Sequence, residues 1–154
     1  MLAPPSLVRD TVLVYSQDPA LDAPPSDATD EERKRWQHRV DVARETGDWA
    51  PVLKPGQQPT RFVVRRIPGT TWRKIEDRIG FASIGAMEGM SLVLRAALKG
   101  VENFGDFKVT HADEDGIGSI AKADVIDLLD AVDPDIVAEL GFQVLSRQRS
   151  TPGK

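Results

Sequence analysis

The sequence predicts an α+β fold: four or five helices around one central apolar helix, a small antiparallel sheet or hairpin, and an extended Pro-rich N-terminal arm. Three observations predict it. Apolar residues recur at helical spacing in several separated stretches. Short β-branched runs bounded by Pro-Gly pairs read as strands. No strand–helix–strand unit repeats, which argues against a doubly wound parallel sheet.

The arm comes first. Pro4, Pro5, Pro19, Pro24 and Pro25 break helices and favour extended backbone. One apolar run, Thr11 to Tyr15, reads as a strand, and Ser16 to Asp30 reads as a linker rich in Asp, Ala, Pro and Ser. A helix starts near Ser26 to Thr29, where Asp27, Thr29 and Asp30 are candidate N-caps and Glu31 and Glu32 suit the positive helix end. Trp36, Val40 and Ala43 form its narrow apolar face, and Gly47 stops it. Arg33, Lys34, Arg35 and Arg39 are mixed with Glu31, Glu32 and Glu45, which makes them a solvated face and not a phosphate site.

A hairpin is expected next, with Val52 to Lys54 and Thr60 to Ile67 as its strands and Pro55-Gly56 in the turn. Phe62 and Val64 share one apolar face of the second strand, while the mixed opposite face suits a sheet edge or an interface. Trp72, Ile75 and Ile79 mark a helix capped by Thr70 or Thr71 and interrupted at Gly80. Phe81 to Gly100 is apolar nearly all round, the pattern of a central core helix, so Leu94 and Leu98 are expected to be buried. Gly85 and Gly89 share a helical face and favour close packing against a neighbouring element. Gly100 to Thr110 reads as loop and short strand, and His111 to Gly118 as an acidic turn. A helix over Ile120 to Ala131 is expected to turn Val125, Leu128, Leu129 and Val132 inward. Asp133-Pro134 opens a last helix with Ile136, Val137, Leu140, Val144 and Leu145 as its stripe, before a basic tail from Arg147. The domain boundaries follow: an arm and linker over 1–26, one α+β domain over 27–149, and a flexible tail over 150–154.

Length and composition bound the function. The chain has 154 residues, the size of one ordinary domain, and 40% hydrophobic residues, enough for one core. Its net charge of −4 argues against sequence-specific nucleic-acid binding driven by phosphate neutralisation. The absence of cysteine excludes disulfides, thiolate metal sites and a cysteine nucleophile. No run reaches the roughly 20 apolar residues of a membrane span, and Met1 to Ser6 does not read as a signal peptide. Synthesis in the cytoplasm is therefore expected.

The chemical motifs fail one by one. An EF-hand loop started at Asp113 puts Ile117, which has no side-chain oxygen, at the fifth position and Asp124 at the twelfth, where glutamate is usual. His38 and His111 lie in different segments and form no zinc pair. Gly116-Ile-Gly118 lacks the third glycine and preceding strand of a dinucleotide fingerprint, and there is neither a Walker loop nor a nucleophile elbow. No nucleophile, base, metal or cofactor is expected, and the chain reads as a non-enzymatic protein-binding domain.

The segment from Lys54 to Arg65, KPGQQPTRFVVR, resembles small structural and assembly proteins of tailed bacteriophages, which tend to carry a K-P-G-x-x-P-T-x-F-x-x-R phrase. Leu98 to Phe104 and the late helix from Pro134 to Gly141 fit the same layout, so the likeness spans Trp49 to Ser146. The resemblance implies a virion structural protein of the neck, tail or capsid, made in the host cytoplasm. Its partners would be other phage structural proteins and copies of itself in a symmetric assembly. It also implies an alternative, a tail assembly chaperone absent from the mature particle. An unrelated cytoplasmic adaptor is a further alternative. The Pro-rich arm favours the first role. Val8, Val12, Val14 and Tyr15 on the arm, with Phe62 and Val64 on the strand, are the candidate partner-binding residues.

Overall fold

The structure is a computed structural model that describes residues 10–80, 86–114 and 116–149, with the backbone alone at Gly80, Ala86 and Arg149. Three strands form one antiparallel sheet in the order β1 (Thr11–Leu13), β2 (Arg61–Val64), β3 (Leu98–Glu102). Thr11 pairs with Val64 and Leu13 with Phe62, while Arg61 pairs with Glu102 and Phe62 with Val101. A smaller ribbon pairs β4 (His111–Ala112) with β5 (Ile120–Ala121). Five helices complete the described residues: α1 (Asp30–Thr46), α2 (Gly69–Gly80), α3 (Ala86–Ala97), α4 (Ala123–Val132) and α5 (Asp135–Arg149). The fold is α+β, as expected.

The central apolar helix is α3. Leu92, Val93, Leu94, Ala96, Ala97 and Leu98 are all buried, and α2, α4 and α5 pack around the helix. Phe81 and Ile84, expected on this helix, and Gly85 lie outside the described residues. Gly89 faces α2, where an added Cβ would meet Ile79 at ordinary van der Waals distance, 3.5 Å. The close approach lies elsewhere. A Cβ at Gly141 of α5 would sit 2.6 Å from the Met90 carbonyl oxygen of α3.

Helix α3 stops at Ala97 and the chain passes directly into β3, where helix was expected as far as Gly100. Side chains and strand backbone supply the hydrogen bonds at this junction. The Arg65 amide donates to the Ala97 carbonyl at 2.8 Å and its Nε to the Ala96 carbonyl at 3.0 Å. The Leu98 carbonyl accepts from His111 Nε2 at 2.8 Å, which makes Nε2 the protonated nitrogen. The guanidinium of Arg65 also suits the negative end of the helix dipole.

Three expectations about single elements need correction. Strand β2 is the central strand of its sheet and not an edge, because β1 and β3 flank it. Val52 belongs to a 3₁₀ turn, Ala50–Val52, so the expected local hairpin does not form. Its Pro55-Gly56 turn does form: the Gln57 amide donates to the Lys54 carbonyl at 3.1 Å, and Gly56 adopts φ 73°, open to glycine at no steric cost. Helix α4 begins three residues late, since Ile120 and Ala121 are taken by the ribbon.

The largest correction concerns the arm. Residues 10–25 belong to the folded body rather than to a separate 1–26 segment. Strand alternation sends Leu13 and Tyr15 into the main core, while Val14, 0% exposed, points the other way into a second core. That second core holds Val14, Leu21, Val40, Ala43, Trp49 and Val52, with Trp36 and Leu53 against it. The segment after β1 is strapped down despite its prolines. Asp18 accepts from the Ala20 amide at 2.8 Å and from the Thr60 amide at 3.0 Å. The Lys54 amide donates to the Ala20 carbonyl, the Asp22 amide donates to the Val52 carbonyl, and Leu21 bridges Leu53.

Candidate functional site

The acidic loop is the first place to seek chemistry, and its Glu114 is spent on structure. Glu114 Oε1 accepts from Arg95 Nη2 and from the Ala123 amide, both at 2.8 Å, so one carboxylate neutralises a buried arginine and caps α4. Arg95 Nε donates to the Ala121 carbonyl at 2.8 Å, and Arg65 Nη2 to the Ser119 carbonyl at 2.9 Å. Ile117 is buried in the main core, so the loop is a plugged lid on the helices and more than the solvated turn expected. No group of three or more metal-ligating side chains occurs among the described residues. No described helix is long and apolar enough to cross a membrane.

A second polar knot ties the N-terminal strand to the start of α5. Asp133 Oδ1 accepts from the Asp135 amide at 2.9 Å, which is the cap that Asp133-Pro134 announces. Its Oδ2 accepts from the Tyr15 hydroxyl at 3.1 Å. Glu139 accepts from the Ser16 amide at 2.8 Å and from the Ser16 hydroxyl. Burial first, and then the Asp133 carboxylate, push the Tyr15 phenol up to about 12.

The expected partner-binding residues do not assemble into a surface. Val8 lies outside the described residues. Val12 is half-buried opposite Val63. Val14, Tyr15, Phe62 and Val64 are buried in this chain's own cores, so as folded they offer nothing to a partner. Their apolar character signals the core of this chain, which is the physical reason the expectation fails.

Two other features do face outward. Along α5, Ala138, Glu139, Phe142, Gln143, Ser146 and Arg147 form one wall of an open groove, and Gln37, Arg44 and Glu45 of α1 face them. Phe142 stands in it 62% exposed. Arg44 Nε and Gln143 Oε1 are buried without a hydrogen-bond partner among the described residues. On α4 the inner face is Val125, Ile126 and Leu129, whereas Leu128 and Val132, expected inside, are 37% and 59% exposed. Asp124 lies one turn before Leu128, while Asp127 and Asp130 lie further round the exposed side. The sequence carries a signal for Phe142: it lies two positions past Leu140, about 200° round the helix from the core stripe. For Leu128 and Val132 the signal is the excess of apolar residues on a ten-residue helix that can bury only one side. No protein-family model matches the chain, and neither a curated protein nor a solved structure matches it.

Proposed function

We propose that the chain is a non-enzymatic structural protein of a tailed-phage particle that binds neighbouring subunits at the neck, tail or capsid. The observation that carries the reading is Phe142, an aromatic side chain left 62% exposed in a groove between two helices. Large aromatics that fill a partner's pocket dominate protein interfaces. The resemblance of Lys54 to Arg65 to phage assembly proteins supplies the context. The polar groups best suited to chemistry, Glu114, Arg95, His111, Asp133 and Glu139, each hold two elements of the fold together.

The groove also favours a second reading, a tail assembly chaperone, because reversible masking of aggregation-prone tail proteins needs an open apolar groove. The arm that favoured permanent contacts is folded into the chain's own cores. Mass spectrometry of purified particles separates the two. A fixed copy number in mature particles supports the structural role. Presence in assembly intermediates alone replaces it with the chaperone.

A further inference from the structure

The two walls of the groove between α1 and α5 carry matching polar groups that do not meet. Among the described residues, three buried side-chain polar atoms lack a hydrogen-bond partner, and all three lie where α1 is seated. They are Arg44 Nε on the helix, Trp49 Nε1 in the small core beneath it, and Gln143 Oε1 on the facing wall. Arg44 Nε is a donor and Gln143 Oε1 an acceptor, and both side chains line the same groove. Gln143 Nε2 donates to Glu139 at 3.4 Å, which fixes the orientation of the amide and leaves Oε1 as the acceptor. Asp41 holds Arg44 from its own helix through Nη1, at 3.6 Å, so that pair does not engage Nε. Charge repeats the pattern. Glu45 of α1 and Arg147 of α5 line one end of the groove, both exposed, and neither forms an ion pair among the described residues. Burial and then the charge of Arg44 hold the Arg147 guanidinium below its ordinary range, a penalty that a carboxylate beside it relieves. With Glu139 on the α5 side and Arg44 on the α1 side, each wall presents one acid and one base. A groove of that kind is complemented best by its own opposite wall.

Helix α1 is the wall that can move. It is anchored on one side, at Val40 and Ala43. A largely exposed connection over 22–29 precedes it, and it ends at Gly47, in the left-handed region with φ 77°. Such element-terminal positions absorb the backbone rotation of a hinge. We propose that the groove is the open form of a clamp: α1 swings onto α5, Arg44 Nε donates to Gln143 Oε1, Glu45 pairs with Arg147, and Phe142 is covered between the helices. The inference rests on the reading of Phe142 as a partner-facing side chain and supplies its regulation. The open form presents the ring, and the closed form withdraws it. A partner that takes Phe142 binds the open form alone and shifts the population toward it.

The test is a distance measurement on the full chain. The sequence has no cysteine, so two introduced thiols carry spin labels at chosen sites and nowhere else. Lys34→Cys on α1 and Asp127→Cys on α4 are exposed positions outside the groove. Pulsed electron spin resonance should give two distances, one for each form. Glu45→Arg sets like charge against Arg147 and should lower the ratio of closed to open form roughly fivefold, the upper range for an exposed ion pair. Adding Arg147→Glu restores the pair with its charges exchanged and should recover the closed distance. Gln143→Leu removes the acceptor and should also deplete the closed form. A single distance in the labelled chain without further substitutions overturns the proposal, and so does a charge-exchanged chain that stays open. Particle incorporation is scored separately: two forms in a chain absent from particles support the clamp and sink the function, and a single form in a chain found in particles does the reverse.

Discussion

At the scale of single residues, two side chains give clean tests. Tyr15 is the chain's sole tyrosine, so ultraviolet titration of tyrosinate reports it alone. Its midpoint should lie near 12, against about 10 for a free phenol. The folded-state value is raised, so the stabilisation is complete below pH about 10 and is lost as pH rises toward the folded value. Tyr15→Phe should remove that alkaline loss, and a midpoint at the free-phenol value would refute the Asp133 bond. Gly141 tests packing. Helix propensity alone would favour Gly141→Ala by about 1 kcal/mol. Overpacking against the Met90 backbone costs about 1–3 kcal/mol, and steric cost should win because a backbone carbonyl cannot rotate away. Chemical denaturation should show a less stable variant.

At the scale of elements, what the sequence discloses depends on how far the burial pattern is local. The stripe Ile136, Val137, Leu140 and Val144 is legible because a helix sets its own period, and all four are buried. Thr29 accepting from the Glu32 amide and Gly47 closing on Ala43 are legible for the same reason. The segment Leu13 to Tyr15 is not, since its strand partners come from residues 61–64, and two different cores claim its alternate sides. Prolines beside it advertise an arm, while Asp18 supplies the bonds that hold it. Deleting residues 1–25 should therefore abolish cooperative folding, because it removes β1 and the buried Leu13, Val14, Tyr15 and Leu21. Each such side chain carries about 1.5–3 kcal/mol of burial energy, and together they are comparable to a typical domain's whole margin. A truncated protein with an intact thermal transition would restore the arm as a separate part.

At the scale of the whole molecule, charge and apolarity are sorted by place. The cores absorb Val14, Tyr15, Phe62 and Val64, which sequence reading assigned to partners, and the surface keeps Leu128, Val132 and Phe142, which periodicity alone assigns to no partner. The candidate surface was thus illegible where it depended on which of two apolar sides a short helix buries. Stability should be independent of added ligands. Melts with a chelator, with calcium and with ATP should coincide, since Glu114 is held by Arg95 and the Ala123 amide, and Ile117 fills core space. A calcium-induced rise in Tm would show a native-state site, by mass action.

The two cores are unequal, and α1 depends on the smaller one. Among its 17 residues only Val40 and Ala43 are buried, and its main neighbour is the 3₁₀ turn beneath it. Proteins open in parts, and a part with few buried contacts opens at lower free energy than the whole. Helix α1 should behave as its own cooperative unit: in hydrogen–deuterium exchange the Val40 and Ala43 amides should lose protection well before those of Leu94 and Leu98. Because Gln37 and Arg44 of α1 form one wall of the groove, release of that unit would widen the cleft around Phe142 while the main core stays closed.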